Sequence, residues 1–219
     1  MKVALIGPTG FVGKEVLQEL LSRGHQVVAL ARDPAKLDAR AGLTVVKADA
    51  KQADQVAAAV EGVEGVEGVD AVVSAYNPGW SVPDIHTEFL AGTRAIYDGV
   101  KRAGVKRLLV VGGAGSLYAA PGVQIVDLPE FPDQWKQGAL AAREALNLIR
   151  LESSLDWTFL SPAPHLEPGE RRGSYRVSLD TPVMDANGPA HVSTADLAVA
   201  IVDELERPQH IRRRFTVGY

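Results

Sequence analysis

The sequence contains no cysteine, which excludes disulfide bonds, thiol catalysis, thiolate metal sites and iron–sulfur clusters. It also lacks a basic surplus: 23 lysines and arginines stand against 27 acidic residues, and the net charge of −4 argues against a nucleic-acid partner. No apolar run approaches the roughly 18 residues of a membrane span, and the N-terminal apolar run is too short for a signal peptide. We therefore expect a cytoplasmic protein with no membrane or nucleic-acid partner.

The sequence also has few candidate metal ligands and few clustered basic residues. The five histidines lack the spacing of metal ligands and no carboxylate cluster appears, so the sequence predicts no metal site. Basic residues form only two short dense runs, Arg171-Arg172 and Arg212–Arg214, which we interpret as solvent-exposed.

Apolar runs alternate with helix-like segments along almost the whole chain of 219 residues. Continuous apolar runs are typical of strands buried on both faces, and this alternation predicts an α/β fold with a doubly wound parallel sheet and helices on both faces. The repeat EGVEGVEGV (61–69) is interpreted as an elongated surface connection. The predicted strands cover 3–6, 26–31, 43–49, 70–75, 107–113 and 156–162, and the main helices 16–21, 53–60, 85–104, 139–152 and 193–206.

A glycine-rich segment links the first predicted strand to the first predicted helix. In ALIGPTGFVGKEV, glycine recurs every third residue at Gly7, Gly10 and Gly13. Such glycines permit a tight turn, a close approach of backbone to pyrophosphate, and close packing of helix on sheet, and the helix N-terminus attracts phosphate. A kinase-type phosphate loop is excluded, because Pro8 stands at its first required glycine and Glu15 where Ser or Thr must follow the lysine.

Polar residues at the ends of the second and third strands bear on the choice of dinucleotide. Arg32 ends the second strand, where NAD enzymes tend to place an acid and where an arginine can pair with the 2′-phosphate of NADP. Asp33 could serve NAD, but its place before Pro34 is explained more simply as a helix N-cap. We therefore expect NADP, with NAD as the alternative. Asp49 suits either an adenine amino group or a turn.

Five segments in family order resemble an atypical short-chain dehydrogenase/reductase of the NmrA-like and NAD(P)H-flavin reductase (biliverdin reductase B-like) group. They are GPTGFVG, RGHQVVALARDP, GVKRLLVVGGAGS, LDWTFLSPA and VSTADLAVAIVDEL. The resemblance implies one Rossmann-type NAD(P)-binding domain over residues 1–219, with a small C-terminal extension on the substrate side. It also implies that the cofactor lies across the strand ends, with contacts from Gly7, Thr9, Gly10, Phe11, Val12, Gly13, Arg32, Asp49, Ala50, Ala75, Gly112, Gly113, Pro162 and Ala163.

The family's usual catalytic pair, Tyr-x-x-x-Lys on the helix after the fifth strand, has no counterpart at that place. In the family, tyrosine transfers the proton and lysine lowers its pKa. One such spacing, Tyr97 to Lys101, lies before the fifth strand and is interpreted as helix packing. Alignment on Glu144 puts Lys136 and Leu140 at the two positions of the pair. Its absence weakens epimerisation, dehydration and alcohol oxidation as hypotheses.

Flavin-type reduction requires fewer groups, because a planar acceptor can stack on the nicotinamide, accept hydride and take its proton from water. Over PHLEPGERRGSYRV, the resemblance implies that His165 occupies the group's active-site histidine position, where it would orient an acceptor or relay a proton. The alternative is an ordinary loop histidine between two prolines. Ala114 falls near the group's serine, and Ser116 is the nearest hydroxyl, so His165 and Ser116 are the catalytic candidates.

Aromatic residues are candidates to face the acceptor, although each could equally be a lid or core residue. They are Tyr76, Trp80 and Trp135, and the substrate-side elements are expected within 76–90, 116–135 and 161–192. The leading hypothesis is an NADP-dependent oxidoreductase that transfers hydride to a small planar molecule such as flavin or quinone. The alternatives are an NmrA-like protein that senses NADP without turnover and, disfavoured by the short chain and the missing pair, a sugar-nucleotide epimerase or dehydratase.

Overall fold

Strands and helices alternate along the chain, as the apolar periodicity predicts. The computed structural model describes residues 1–61 and 68–219. Its strands are β1 (Lys2–Ile6), β2 (Gln26–Ala31), β3 (Leu43–Lys47), β4 (Ala71–Ser74), β5 (Arg107–Val111), β6 (Tyr118–Ala120), β7 (Val123–Gln124), β8 (Asp156–Leu160), β9 (His165–Glu167), β10 (Arg176–Ser178), β11 (Met184–Asp185), β12 (Gly188–Pro189), β13 (His191–Ser193) and β14 (Arg213–Gly218). Its helices are α1 (Gly13–Ser22), α2 (Ala53–Glu61), α3 (Ile85–Arg102), α4 (Asp133–Arg150) and α5 (Thr194–Glu206).

Eight strands form the central sheet in the order β3-β2-β1-β4-β5-β8-β14-β10. Every neighbouring pair from β3 to β14 is parallel, and β10 alone in this sheet pairs in the antiparallel sense, with β14. The order reverses between β1 and β4, which opens a crevice at the carboxyl ends of those strands. The fold is therefore a Rossmann-type doubly wound sheet, as predicted.

Helices cover both faces of this sheet. On one face α1 packs against α5, and on the other α3 packs between α2 and α4. Apolar side chains of the strands alternate between the two cores: Leu5 and Leu109 face the α1/α5 side, whereas Ile6 and Leu108 face the α2/α3/α4 side. Each such side chain contributes about 1.5–3 kcal/mol when it is fully buried. No described helix has the length and apolar character that a membrane crossing requires.

The irregular segments differ from the sequence-based expectation in detail. The helix expected from residue 139 begins at Asp133, and residues 117–132 before it, for which the sequence predicts no element, contain the short β6/β7 hairpin and one 3₁₀ turn, Ile125–Asp127. The helix expected after Asp33 is a single 3₁₀ turn, Pro34–Lys36, capped by the Asp33 carboxylate. The interpretation of EGVEGVEGV as a surface connection falls largely on residues 62–67, which lie outside the described residues.

Candidate functional site

The glycine turn after β1 has no room for a side chain at two of its three glycines. Gly7 adopts a φ of +81°, and a Cβ there would lie 2.6 Å from the Ala75 carbonyl oxygen. A Cβ on Gly13 would lie 1.9 Å from the Gly7 carbonyl oxygen, whereas one on Gly10 would lie 3.3 Å from the same atom. The turn therefore holds the end of β1, the end of β4 and the start of α1 in direct contact where the strand order reverses.

Helix α1 begins without a capping side chain. Val12 is its N-cap and makes no side-chain hydrogen bond to the helix. The backbone N–H groups of Phe11 and Val12 donate to no acceptor within residues 1–61 and 68–219, and Thr9, Gly10 and Phe11 are exposed. Unpaired N–H groups at a helix N-terminus attract anions, and a glycine cradle lets phosphate approach the backbone. The turn thus fits the pyrophosphate of a dinucleotide.

Charged side chains gather where β2 and β3 end. Arg32 is exposed, and its guanidinium makes no ion pair or hydrogen bond with a described residue. Asp49 forms a turn, since its Oδ1 accepts from the Lys51 N–H at 3.0 Å and its own N–H donates to Gln55 Oε1 at 2.8 Å. Lys51 Nζ lies 2.7 Å from Glu88 Oε2, and this hydrogen bond raises the pKa of Lys51. Arg32 is thus an exposed cation with no ion-pair partner in the described part of the chain.

Tyr76, directly after β4, is held against α3. A Cβ on Gly92 would lie 2.3 Å from the Tyr76 ring, so the ring lies directly on that glycine, and its hydroxyl donates to the Glu88 carbonyl oxygen at 3.0 Å. Burial raises the pKa of Tyr76 to about 12. Tyr76 is therefore a fixed, half-buried ring beside the strand ends, and its contact with a substrate stays a prediction.

The opposite half of the edge is formed by the ends of β5 and β8. The Gly112 N–H donates to the Leu160 carbonyl oxygen at 2.8 Å, and a Cβ on Gly112 would lie 1.9 Å from the Phe159 ring. Pro162 and Ala163 follow β8 and are buried. The strand order thus aligns the sequence-predicted cofactor residues along one edge, from the end of β3 to the end of β8. Their contacts with a cofactor stay predictions.

Ser116, one of the two catalytic candidates, lies in the interior with 1% of its surface exposed. Its hydroxyl lies 3.2 Å from the Gly113 carbonyl oxygen and 3.4 Å from Ser161 Oγ. Nη1 of Arg214 donates to the Ser116 carbonyl oxygen at 3.0 Å and to its hydroxyl oxygen at 3.3 Å. The structure therefore places this hydroxyl in a buried network behind the strand ends rather than on the open edge.

Arg214 corrects the interpretation of Arg212–Arg214 as a solvent-exposed run. Arg212 and Arg213 are exposed, but only 4% of Arg214 is. β14 is an interior strand of the sheet, between β8 and β10, and its residues from Arg214 to Gly218 are buried. The run Phe-Thr-Val that follows indicates a buried strand, but it does not show that the arginine before it is buried as well.

His165, the other catalytic candidate, is exposed and lies outside the main sheet. It begins β9, which pairs in parallel with β13 and sets His165 opposite His191. The structure does not join His165 to Ser116 by a hydrogen bond within the described chain. Its role as a proton relay stays a prediction.

Two exposed indoles lie at the start of α4. A Cβ on Gly138 would lie 2.6 Å from the Trp80 ring, so this ring rests on α4, and Trp135 precedes Gly138 by one helical turn. Trp80 is 58% exposed and Trp135 is 49% exposed. Both rings are therefore accessible at the surface, and their contact with a substrate stays a prediction.

The displaced Tyr-x-x-x-Lys spacing is a packing feature of α3. Tyr97 is buried, and its hydroxyl donates to the Ala145 carbonyl oxygen at 3.2 Å. Lys101 Nζ lies 3.0 Å from Glu152 Oε2. Both residues therefore have structural partners, as expected. Within residues 1–61 and 68–219, no group of three metal-ligating side chains occurs.

Comparison with known proteins agrees with this geometry. Residues 7–208 match a protein-family model described as NAD(P)H-binding. The uncharacterized protein YwnB of Bacillus subtilis is 38% identical over 222 residues, which cover 99% of this chain and 98% of that protein.

Two solved structures share both sequence and fold with the chain. A Bacteroides thetaiotaomicron protein provisionally described as an epimerase is 44% identical, with a TM-score of 0.89 over 100% of this chain and 96% of the other. A Streptococcus pneumoniae protein provisionally described as an NADH-flavin reductase is 32% identical, with a TM-score of 0.83 over 100% and 99% of the two chains. With its glycine turn, its sheet order and a family match over most of its length, the chain belongs to the NAD(P)H-binding family.

Proposed function

We propose that this protein is an NADPH-dependent reductase that transfers hydride to a small planar acceptor such as a flavin or a quinone. The observation that carries the proposal is the uncapped start of α1, built on Gly7 and Gly13 where the strand order reverses. The NADH-flavin reductase description of the Streptococcus pneumoniae relative supports the acceptor class.

Each half of the dinucleotide has candidate partners along the edge. The turn from Gly7 to Gly13 would hold the pyrophosphate on backbone N–H groups. Arg32 favours NADPH over NADH, because an exposed guanidinium without a protein partner can pair with a 2′-phosphate. The nicotinamide half would lie against Ala75, Gly112, Gly113, Pro162 and Ala163.

The chain's own part in catalysis would be positioning and proton supply. A bound reduced nicotinamide supplies a hydride, and one proton completes the two-electron reduction of the acceptor. Trp80 and Trp135 would stack a planar acceptor beside the nicotinamide edge. His165, exposed on β9, would deliver the proton or orient the water that does so. Sugar epimerisation is disfavoured, because α4 contains no tyrosine and the Tyr97 hydroxyl is bonded within the fold.

A steady-state assay of NADPH oxidation with FMN, riboflavin and a quinone tests the reaction class. We expect turnover with at least one acceptor. Trp80→Ala should raise the acceptor KM severalfold, whereas Leu151→Ala, an exposed apolar residue at the far end of α4, should not. Tight NADPH binding without oxidation by any acceptor would contradict the proposal and favour a cofactor-sensing protein, for which a cofactor-dependent pulldown of a partner is the next test.

A further inference from the structure

We propose that Arg214, on the seventh parallel strand, is a positioning residue for the nicotinamide end of the site. The inference rests on the proposed function, because that function assigns Gly113 and its neighbours to the nicotinamide. Arg214 would act through the turn after β5, which contains Gly113 and Ser116.

The guanidinium of Arg214 donates hydrogen bonds both to an acid and to this turn. Its Nε donates to Asp180 Oδ1 at 2.8 Å, and its Nη2 donates to the same oxygen. Its Nη1 donates to the carbonyl oxygen and the hydroxyl oxygen of Ser116, at 3.0 and 3.3 Å. Only 1% of the Arg214 side chain and 1% of Ser116 are exposed, so the bonds between them are shielded from water. Asp180 thus orients the planar guanidinium, and Ser116 accepts hydrogen bonds from its remaining nitrogen, Nη1.

The bond from Arg214 determines where the Ser116 proton can point. A hydroxyl has one proton, and the Ser116 oxygen already accepts from Arg214. Its proton is therefore directed to the Gly113 carbonyl oxygen at 3.2 Å or to Ser161 Oγ at 3.4 Å. Gly113 follows β5 and Ser161 follows β8. Arg214 thereby joins the ends of two neighbouring strands, and Ser116 is a positioning residue in this arrangement rather than a proton donor to substrate.

A second buried arginine in the same sheet supplies a matched control. Arg107 begins β5, at the opposite edge, where its Nη1 donates to Thr158 Oγ1 at 2.7 Å and its Nη2 to Glu204 Oε1 at 3.1 Å. Replacement of either arginine by lysine keeps the charge but removes the planar guanidinium with its several donors. Both variants should unfold at lower urea concentration than the native protein. Only the change at Arg214 should alter how the nicotinamide half of the cofactor binds.

The test compares ligands that share the adenine half of the cofactor. In Arg214→Lys, the Kd of 2′,5′-ADP should stay within about twofold, while the Kd of NADPH rises and kcat with FMN falls by about tenfold or more, since small misplacements at a reacting group cost rates of that order. The enhancement of nicotinamide fluorescence on binding should also fall. Arg107→Lys should leave the ratio of the two Kd values and the fluorescence unchanged. If Arg214→Lys does not fold, Asp180→Asn replaces it, because the Asp180 side chain is 56% exposed.

The outcomes separate this inference from the proposed function. An unchanged ratio of Kd values in the folded Arg214 or Asp180 variant, or an equal change in Arg107→Lys, overturns the positioning role alone. If the native protein binds neither nucleotide, the proposed function fails. Amide hydrogen exchange without nucleotide then decides whether Arg214 holds the turn: exchange at residues 113–118 must rise in the Arg214 variant and not in Arg107→Lys, and equal exchange overturns the inference.

Discussion

Arg32 shows how one side chain can set the choice between two cofactors. Its guanidinium is exposed at the end of β2 and has no partner among the described residues. Arg32→Ala should weaken NADPH binding by about 1.5–3 kcal/mol, the value of a charge-assisted contact, and change NADH binding little. Fluorescence titration with both cofactors measures this. Arg40→Ala, an exposed arginine bonded to Gln18 at 3.3 Å, is the control, and equal losses for both cofactors in Arg32→Ala would refute the 2′-phosphate role.

Alanine substitution at Gly13 and at Gly10 should have different effects on stability and on nucleotide binding. At Gly13 the Cβ would overlap the Gly7 carbonyl oxygen at 1.9 Å, so Gly13→Ala should lower the free energy of unfolding as well as nucleotide affinity. At Gly10 the distance is 3.3 Å, which a shift of a few tenths of an ångström relieves, and the residue is exposed, so Gly10→Ala should mainly weaken nucleotide binding. Urea unfolding and NADPH titration of both variants separate the effects. A Gly13→Ala protein as stable as the native one would contradict this account of the turn.

At the scale of elements, residues 168–175 form a strap that ties the C-terminal extension to α1 and α5. Arg171 donates to both Glu19 carboxylate oxygens, at 2.8 and 2.9 Å, and the Tyr175 hydroxyl donates to Asp203 at 2.7 Å. Arg23 links the two acids, because it binds Glu19 and Asp203. The strap is therefore held to α1 by an ion pair and to α5 by a tyrosine hydrogen bond.

This strap predicts a stability that depends on pH. The hydrogen bond from Arg171 lowers the pKa of Glu19 below its ordinary value of 4.5. The unfolded chain therefore takes up this proton first, so the contribution of Glu19 is complete above that value and is lost as pH falls below it. Urea midpoints measured between about pH 5 and about pH 3 should fall more steeply in the native protein than in Glu19→Gln. Glu15→Gln, on the same helix, should keep the native slope, and parallel slopes for all three proteins would contradict the prediction.

At the scale of the whole molecule, the last strand completes the sheet. Phe215 of β14 is 2% exposed and stacks on the His210 ring at a centroid distance of 4.3 Å. Phe215→Ala should cost about 3–5 kcal/mol, as large-to-small changes in a core do. Val177→Ala, on the exposed edge strand β10, should cost well under about 1 kcal/mol. If residues 1–219 form one domain, urea unfolding followed by tryptophan fluorescence and by far-UV circular dichroism gives one coincident transition, and two separate transitions would contradict it.

Local chemistry was enough to predict the frame of the molecule and the place of its cofactor edge. Apolar runs such as Val27–Ala31 predict buried strands, and glycine at Gly7 and Gly13 predicts a turn with no room for a side chain. Both signals depend on neighbours within a few residues, so they can be read along the chain. The segments that lack such periodicity, above all residues 116–135, were not predicted, because their turns follow from contacts with other elements.

What the sequence by itself determined was the alternation of strands and helices, the glycine turn and the position of an arginine at the end of the second strand. Only the tertiary structure decided that Ser116 is buried, that Tyr76 rests on Gly92, and that Arg214 is an interior residue. The physical reason is separation along the chain: Arg214 and Ser116 are 98 residues apart and meet because β14 takes its place beside β8. Nothing in a run of three arginines indicates that one of them will contact Ser116, whereas the conformation of a glycine turn depends on its own backbone.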